Sequence, residues 1–467
     1  MTSNQPVPAP PLSRAGGDGR RAAPVGLVHL GLGNFFRAHQ AFYTEHAGDA
    51  DDWGYAAFAG RGANLAERLQ AQDGLYTLLE RGPQRDTAEI IASVSEAHPG
   101  ADHGGWLACV ASPRVAAITV TVTEAGWCRG ADGGLAVSRP DVANDLARLR
   151  EDVSASVATA PARLVGGLAA RRVAGSGPLA LVPCDNVPGN GALAGRVVTE
   201  LARLVDPTLV EWIGQSLAVV TTVVDRITPR TGSPEIEAAA RATGRSDQAP
   251  VVTEPFSEWA LAGEFPAGRP RWDDAGAIFT DDVTGYEHRK LWLLNGAHSL
   301  LAYAGSLLGH RSVAEAIGDD RCQTWVQQWW ATASRHLDQP PGEIATYQDA
   351  LVERFANARM HDELARIGED GSQKLPIRVL PVLRAERAAG RLPTAATRIV
   401  AAWLCHLRGL GGAVHDVRAE ELVPLAAGPL HGAARKVLDA LDPDLGADTA
   451  VVTAVAEQCH ELAGTQK

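Results

Sequence analysis

The stretch Val25-Gly-Leu-Val-His-Leu-Gly-Leu-Gly33, followed by Asn34-Phe-Phe-Arg-Ala-His39, decides the fold of the first part of the chain. A short apolar run that ends in glycines and leads into a helical segment is typical of the first strand and turn of a dinucleotide-binding domain. In such a turn, glycines let the backbone approach a pyrophosphate, and free N–H groups at the start of the helix stabilise its charge. This interpretation assigns cofactor binding to Gly31, Gly33, Asn34, Phe35 and Arg37.

The turn departs from the full fingerprint Gly-x-Gly-x-x-Gly, because Phe36 stands where the third glycine is expected. A glycine pair after a strand also occurs in ordinary strand-to-helix turns. Arg37 fits a solvated helix position as well as it fits a phosphate contact. Both interpretations stay open on this stretch alone.

Further apolar runs rich in β-branched residues alternate with helical stretches, which predicts parallel strands joined by crossover helices in a doubly wound α/β sheet. The predicted strands cover residues 25–33, 53–60, 115–126, 179–186 and 217–229. After about residue 286, helical periodicity takes over in residues 288–309, 346–360 and 394–410. We therefore predict a disordered leader over 1–23, a Rossmann-type dinucleotide-binding domain over 24–285 and an α-helical substrate-binding domain over 286–467.

The composition narrows the class of protein. A chain of 467 residues exceeds one compact core and suggests two domains. It contains no apolar stretch of about 18 residues that could span a bilayer, and a net charge of −12 disfavours nucleic acid. The 6 cysteines form no Cys-x-x-Cys pair, so we expect no metal site and a reducing, cytoplasmic setting. The expected partner is a small molecule.

The position that usually holds the adenosine ribose lacks an acidic residue. The second predicted strand is followed by Ala59-Gly60-Arg61-Gly62, where dinucleotide-binding domains commonly place Asp or Glu. An arginine can instead accommodate a 2′-phosphate, which makes Arg61 a further cofactor-binding candidate. The residues alone therefore leave the choice between NAD and NADP open.

The segment Tyr286-Glu-His-Arg-Lys-Leu-Trp-Leu-Leu-Asn-Gly-Ala-His-Ser299 carries the chemistry of the second half. At about 100° per residue, Lys290, Asn295 and His298 lie at roughly 0°, 140° and 80° around a helix, so all three can face one cleft. Oxidising an alcohol requires a base for the hydroxyl proton and donors for the oxygen, which these side chains supply without metal. The alternative is an amphipathic helix whose polar face is merely solvated.

Tyr286 and Lys290 also match the Tyr-x-x-x-Lys pair of short-chain dehydrogenases. We discount that match because those chains are about half as long and carry the pair inside the nucleotide domain.

Six segments, in order along residues 25–410, resemble the mannitol dehydrogenase family, the polyol-specific long-chain dehydrogenases. They are LGLGNFFRAHQAFYT, TVTEAGWC, PCDNVPGNG, VVDRITP, EPFSEW and KLWLLNGAHS. The resemblance implies a metal-independent NAD(P)-dependent oxidoreductase acting on a polyol or sugar acid, with NAD favoured. The sequence departs from the family at Asn34-Phe-Phe36, where a small residue and Phe-His are usual, and at Arg61-Gly62, where acidic residues can stand.

The resemblance also implies roles for individual residues. Lys290 would be the general acid/base, with Asn186 and Asn295 bonding the reacting oxygen, His298 orienting the substrate and Glu287 on the proton path. The remaining implied site residues are Asp225, Arg366 and Lys374 for the substrate, and Thr123 and Glu124 for the cofactor. Each of them could instead be a salt-bridge or capping residue.

The choice of substrate depends on Gly371-Ser-Gln-Lys-Leu-Pro-Ile-Arg378. Lys374 and Arg378 are spaced to face one anion, and the stretch resembles fructuronate reductases more than mannitol 2-dehydrogenases. We therefore expect a fructuronate/mannonate pair. The alternatives are that Arg378 is a surface residue and the chain a mannitol 2-dehydrogenase, or another polyol dehydrogenase acting on arabinitol or mannitol 1-phosphate. A different class, an inactive nucleotide-binding sensor, is disfavoured because binding alone needs no proton shuttle.

Overall fold

The computed structural model describes residues 9–60, 62–130 and 132–464. The chain divides between Thr284 and Gly285 into two compact units. The first unit is α/β, and the described part of the second is helical. The predicted fold class is thus confirmed, whereas the exact domain limits remain a prediction.

The first unit contains a six-stranded parallel sheet in the order β5-β2-β1-β6-β7-β8. Two three-stranded sheets, β10-β3-β4 and β12-β11-β9, accompany it. The strands are β1 Val25–Leu30, β2 Gly54–Phe58, β3 Tyr76–Arg81, β4 Asp86–Ile91, β5 Val94–His98, β6 Ala117–Val120, β7 Leu179–Pro183, β8 Leu217–Val219, β9 Thr221–Asp225, β10 Val251–Thr253, β11 Glu258–Ala262 and β12 Ile278–Phe279.

Helices cover both faces of the main sheet. Alternate strand residues point to opposite faces, so Val28 and Leu30 of β1 join one hydrophobic cluster and Leu27 joins another. Parallel sheets are buried in this way because their crossover helices lie on both sides. The helices of the unit are α1 Asn34–Ala38, α2 Gln40–Glu45, α3 Asn64–Gln70, α4 His103–Val110, α5 Pro140–Glu151, α6 Ala160–Ala174, α7 Asn190–Val205, α8 Pro207–Ser216 and α9 Ser233–Thr243.

The strand order reverses beside β1. The chain passes from β1 to β2 and β5 on one side and then crosses to β6, β7 and β8 on the other. Loops after β1 and β6 therefore diverge and leave a crevice at the carboxyl ends of the strands, the place where open α/β sheets bind ligands.

Two predictions made from the sequence need correction. The strand predicted over 217–229 is two strands in different sheets, because β8 pairs with β7 whereas β9 pairs with β11. The leader predicted to be disordered over 1–23 is wrong for residues 9–23. Leu12 is fully buried, and Arg14 donates hydrogen bonds to the carbonyl oxygens of Ala92 and Val94. Residues 1–8 lie outside the described part of the chain.

The second unit packs around one long buried helix, α18, whose Trp403, Leu404 and Cys405 are almost fully buried. Its helices are α10 Thr284–Arg289, α11 Gly296–Leu300, α12 Val313–Ile317, α13 Asp320–Ala333, α14 Pro341–Ala356, α15 Leu364–Ile367, α16 Gly371–Arg378, α17 Leu380–Ala388, α18 Thr394–Leu407, α19 Ala419–Leu425, α20 Leu430–Leu441, α21 Pro443–Ala447 and α22 Thr449–Gly464. Among the described residues, no helix is both long and apolar enough to cross a membrane.

Candidate functional site

A cavity of about 810 Å³ opens at the carboxyl edge of the main sheet. Its walls come from Gly31 after β1, Gly60 after β2 and residues 121–123 and 125–126 after β6, with further residues from α5 and the start of α6. This is the crevice that the reversal of strand order creates. Its volume lies within the range of about 300–1,000 Å³ that small-molecule and cofactor sites occupy.

Gly31 is the position where a glycine is required. Its φ of +115° lies in a region that residues with a Cβ rarely adopt. A Cβ there would also overlap the carbonyl oxygen of Thr121, whose hydroxyl donates a 2.9 Å hydrogen bond to the Gly31 carbonyl. The backbone that leaves β1 therefore lies directly against the end of β6 and leaves the cavity beside it open.

The buried guanidinium of Arg37 holds this turn through hydrogen bonds. It is only 2% exposed and donates hydrogen bonds to the Gly33 carbonyl (3.2 Å), to Asn34 Oδ1 (2.7 Å) and to the Ala249 carbonyl. Asn34 in turn donates to the Pro229 carbonyl at 3.2 Å. This placement supports a structural role for Arg37 and does not support the phosphate contact that its sequence position allowed.

Phe36, at the position of the third glycine of the fingerprint, packs into the core of the first unit. Its ring is fully buried and stacks on His29 with centroids 3.6 Å apart, edge-on to Tyr55. Burial lowers the pKa of His29 to about 3, so this ring is neutral at physiological pH. Phe35 is half-buried and stacks on His39 at 5.0 Å.

The loop after β6 supplies Thr123 and Glu124, the other predicted cofactor residues. Thr123 lines the cavity, whereas Glu124 is exposed in the short turn that follows. Arg61, the candidate for the ribose position, lies outside the described residues.

Asn186 is exposed in the loop after β7, and two neighbours that the sequence analysis missed hold this loop. Asp185 accepts a 2.6 Å hydrogen bond from the indole of Trp127, and burial raises the pKa of its carboxyl group. Asn190 is fully buried and donates to the Pro183 carbonyl at 3.3 Å. Both belong to PCDNVPGNG, where Asp and Asn side chains commonly bond loop backbone, and this preference was the available signal.

Asp225 is buried at the carboxyl end of β9. Its neighbour Arg226 forms an ion pair with Glu80 and donates a 2.6 Å hydrogen bond to the Ala38 carbonyl. The first unit thus contains Asn186 in the loop after β7 of the main sheet and Asp225 at the end of β9 in a different sheet.

The sequence predicted a regular α-helix for the lysine segment of the second unit, and this prediction is wrong. After α10, the residues Lys290–Asn295 form a π-helical turn, α11 follows, and Leu301–Gly305 form a second one. Hydrogen bonds in a π turn connect residues five apart, as in the bond from the Gly296 N–H to the Leu291 carbonyl. Asn295 therefore follows Lys290 by one such turn and lies closer to its side than the ~140° predicted for an α-helix.

Four polar side chains share the accessible side of this segment. Glu287, Lys290, Asn295 and His298 are half-buried, while the apolar residues between them are mostly buried. The His298 ring contacts Phe355 with centroids 4.9 Å apart. A lysine beside an amide and an imidazole can transfer a proton and stabilise a charged oxygen, and π turns often occur at functional sites.

Helix α16 places two cations beside this segment. Arg378 donates to Ser299 Oγ at 3.4 Å, and Lys374 donates to the Ile367 carbonyl at 3.2 Å. Burial, together with the Arg378 charge, lowers the pKa of Lys374. Arg366 is exposed on the separate helix α15.

Two groups of residues in the described part of the chain could hold a metal ion, although no sequence spacing predicted them. Each group brings three ligand atoms within 4.8 Å of one another, and their members are Glu96, His98 and Cys109, and His310, Asp319 and Cys322. Neither group includes a side chain of the lysine segment. Metal independence therefore stays a prediction.

Comparisons with known proteins cover both units. The mannitol dehydrogenase Rossmann domain model matches residues 25–274, and the mannitol dehydrogenase C-terminal domain model matches residues 282–461.

Two curated relatives are equally similar in sequence. The mannitol 2-dehydrogenase of Cereibacter sphaeroides is 35% identical over 82% of this chain and 81% of its own. The D-mannonate oxidoreductase of Escherichia coli (strain K12) is 35% identical over 88% of this chain and 84% of its own. The structure of Pseudomonas fluorescens mannitol 2-dehydrogenase with NAD and D-mannitol matches with a TM-score of 0.81 and 31% identity, covering 95% and 93% of the two chains.

Proposed function

The chain belongs to the mannitol dehydrogenase family, and on that premise we propose that it interconverts D-mannonate and fructuronate with NAD. The observation that carries the proposed chemistry is the half-buried set Glu287, Lys290, Asn295 and His298 along one side of a helix with a π turn. The observation that carries the proposed substrate is the pair of cations on α16.

We assign NAD to the cavity at the carboxyl edge of the main sheet. The size of the cavity, its place at the reversal of strand order and the close approach of Gly31 to Thr121 fit a dinucleotide. The structurally similar mannitol 2-dehydrogenase was solved with NAD. When bound, the nicotinamide accepts or supplies the hydride. Since no Asp or Glu stands in residues 59–64, we expect NADP to be accepted as well.

Lys290 acts as the general acid/base in this proposal. In the oxidation of the alcohol, neutral Lys290 takes the hydroxyl proton as the hydride leaves carbon. In the reduction, the protonated amine returns that proton to the oxygen. The amide N–H group of Asn295 donates to the reacting oxygen, and His298 orients the substrate. Glu287 connects the lysine proton to solvent.

Charge argues for a sugar acid rather than a neutral sugar. Lys374 and Arg378 lie one helical turn apart and are both half-buried, and like charges at this spacing are unfavourable. The acidic neighbours Asp370, Glu369 and Asp416 offset part of the charge at Lys374, and a substrate carboxylate would offset more of it. A charged hydrogen bond from arginine contributes about 1.5–3 kcal/mol. The two curated relatives do not decide the substrate, because each is 35% identical.

The test compares fructuronate with fructose in the native enzyme, Arg378→Ala and Arg378→Lys, by following NADH oxidation. We expect the native enzyme to prefer fructuronate. Arg378→Ala should lower kcat/KM for fructuronate by about 10- to 100-fold and leave that for fructose nearly unchanged. Arg378→Lys is the matched control, because it keeps the charge but loses the paired N–H geometry, so its loss should be smaller.

Other results identify the alternatives. A native preference for fructose, or an equal loss on both substrates in Arg378→Ala, would identify a mannitol 2-dehydrogenase instead. NADH binding without turnover of any polyol, ketose or uronate would indicate a sensor. Every assay is repeated after prolonged chelation, since loss of turnover and its recovery with zinc would contradict the lysine mechanism.

A further inference from the structure

Two adjacent tryptophans of α13 donate hydrogen bonds into the π turn that carries Lys290. Trp329 Nε1 donates to the Trp292 carbonyl at 2.7 Å, and Trp330 Nε1 donates to the Leu293 carbonyl at 2.9 Å. Trp329 is fully buried and Trp330 is 4% exposed. Two successive carbonyls of one helical turn therefore receive side-chain donors from another helix.

Side-chain donors can stabilise a π turn. Where a helix changes from bonds four residues apart to bonds five apart, the hydrogen-bond ladder shifts, and carbonyl groups at the shift require other donors when they are buried. Side chains that insert into the ladder are one recognised cause of local changes in helix geometry. The two indoles donate to the carbonyls of Trp292 and Leu293, in the middle of Lys290–Asn295.

Gly296 leaves room for the indole of Trp329, because it has no Cβ. A Cβ at this position would stand 2.6 Å from Trp329 Nε1 and 2.7 Å from Trp329 Cζ2, closer than real side-chain contacts. Glycine inside a helix costs about 1 kcal/mol relative to alanine, so its presence here requires a compensating gain. The close approach of Trp329 to the Trp292 carbonyl provides that gain.

The second indole also supports the histidine of the site. The Trp330 ring stacks on Phe355 with centroids 6.3 Å apart, and Phe355 contacts His298 at 4.9 Å. Trp330 thus contacts the π turn through its N–H group and lies behind His298 through one intervening ring.

From these contacts we infer that Trp329 and Trp330 are positioning residues for the reaction. Their indole N–H groups hold the π turn, which keeps the Lys290 amine and the Asn295 amide on one side at the separation that the reaction needs. The inference rests on the proposed function, since it takes Lys290 as the acid/base.

The experiment measures kcat, KM for the sugar and the dissociation constant of NADH in Trp329→Phe and Trp330→Phe. Trp325→Phe is the matched control, because this tryptophan lies on the same helix and its ring contacts the Arg398 guanidinium at 5.3 Å. We expect kcat to fall about 10- to 100-fold in the first two variants, the usual effect of a small displacement of a catalytic group. NADH affinity in both, and all constants of Trp325→Phe, should change little.

A second readout does not depend on turnover. Amide hydrogen exchange over residues 290–297 should become faster in Trp329→Phe than in the native protein, while exchange in α18 stays unchanged. Replacing Trp329 with benzothienylalanine, which keeps the ring volume but has sulfur in place of N–H, should give the same result if the smaller phenyl ring impairs folding. Gly296→Ala, which keeps both indoles but displaces Trp329, should also lower kcat.

Native kcat and native exchange in both the Phe and the benzothienylalanine variants overturn the inference, even if Lys290→Ala is inactive. A native enzyme without activity on any sugar overturns the proposed function. In that case faster exchange over residues 290–297 still establishes that the indoles hold the turn.

Discussion

The glycine turn after β1 and the π turn of the lysine segment place opposite requirements on side chains. At the glycine turn, the fold needs a side chain to be absent, because Gly31 lies against the Thr121 carbonyl. At the π turn, the fold needs side chains to be present, because the indoles of Trp329 and Trp330 supply donors to Trp292 and Leu293. The first requirement is local in the sequence, and the second spans 37 residues.

This difference predicts different consequences of substitution. The glycine turn shapes a binding cavity, so its disruption should appear in cofactor affinity. The π turn orients reacting groups, so its disruption should appear in turnover. The first two substitutions below separate these two effects.

The largest effect is expected for Lys290→Ala. Removing a positioned acid/base should lower kcat by about 10²- to 10⁴-fold, while NADH affinity stays native because the cavity lies in the first unit. Steady-state kinetics and NADH fluorescence titration measure the two quantities. Tyr286→Phe is the comparison variant, and a larger loss there than in Lys290→Ala would transfer the acid/base role to the tyrosine.

Gly31→Ala should disturb the glycine turn and therefore lower NADH affinity. The added Cβ must displace the end of β6 and adopt a φ near +115°, so we expect NADH affinity to fall at least about tenfold and stability to fall by about 1–3 kcal/mol. Urea denaturation and NADH titration test this. Gly60→Ala is the control for stability, because a Cβ at Gly60 has no atom within 4 Å. Equal destabilisation in both would contradict the close-approach argument.

Glu386→Gln tests whether the ion pairs of Glu386, which lie away from the π turn, affect stability and turnover. The Glu386 carboxylate on α17 is 1% exposed and pairs with Arg335 (2.7 Å) and His336 (2.6 Å). These two residues directly follow α13, the helix that carries Trp329 and Trp330. Bonds from Arg391 and Arg335 lower the pKa of Glu386. Removing the charge should cost about 1–3 kcal/mol at neutral pH and slightly lower kcat.

The pH dependence of this cost has a definite sign. A depressed carboxyl pKa stabilises the fold above the ordinary glutamate value of about 4.3, and this contribution is lost as pH falls through the folded pKa. The stability difference between native and Glu386→Gln should therefore shrink below about pH 4. Glu421→Gln removes an exposed pair with Arg418 and should leave the denaturation midpoint unchanged.

The smallest expected effect concerns Lys374. Because its pKa is lowered, its ammonium group deprotonates at a lower pH than an ordinary lysine with a pKa of about 10.4. The KM for fructuronate should therefore begin to rise at a lower pH than an ordinary lysine would cause, while that for fructose stays flat. In Arg378→Gln the rise should move to higher pH, because a neighbouring positive charge is gone. A fructuronate KM independent of pH would remove Lys374 from carboxylate binding.

Much of the architecture could be predicted because its signals are local. The apolar run at 25–30, the glycines behind it and the change to helical periodicity near 286 gave the parallel sheet and the helical second unit. The strand predicted at 217–229 was wrong, because β-branched composition does not specify which neighbour a strand pairs with. The disordered leader was wrong for residues 9–23, since Leu12 is buried by contacts that composition does not reveal.

The sequence by itself determined that Lys290, Asn295 and His298 lie on one helical segment and that a glycine turn follows the first strand. Only the tertiary structure decided that this segment contains π turns and that Arg37 braces the glycine turn from inside. The physical reason is that spacing fixes which side chains are neighbours along a regular helix. Departures from regular geometry depend on donors such as Trp329 that come from elsewhere in the chain.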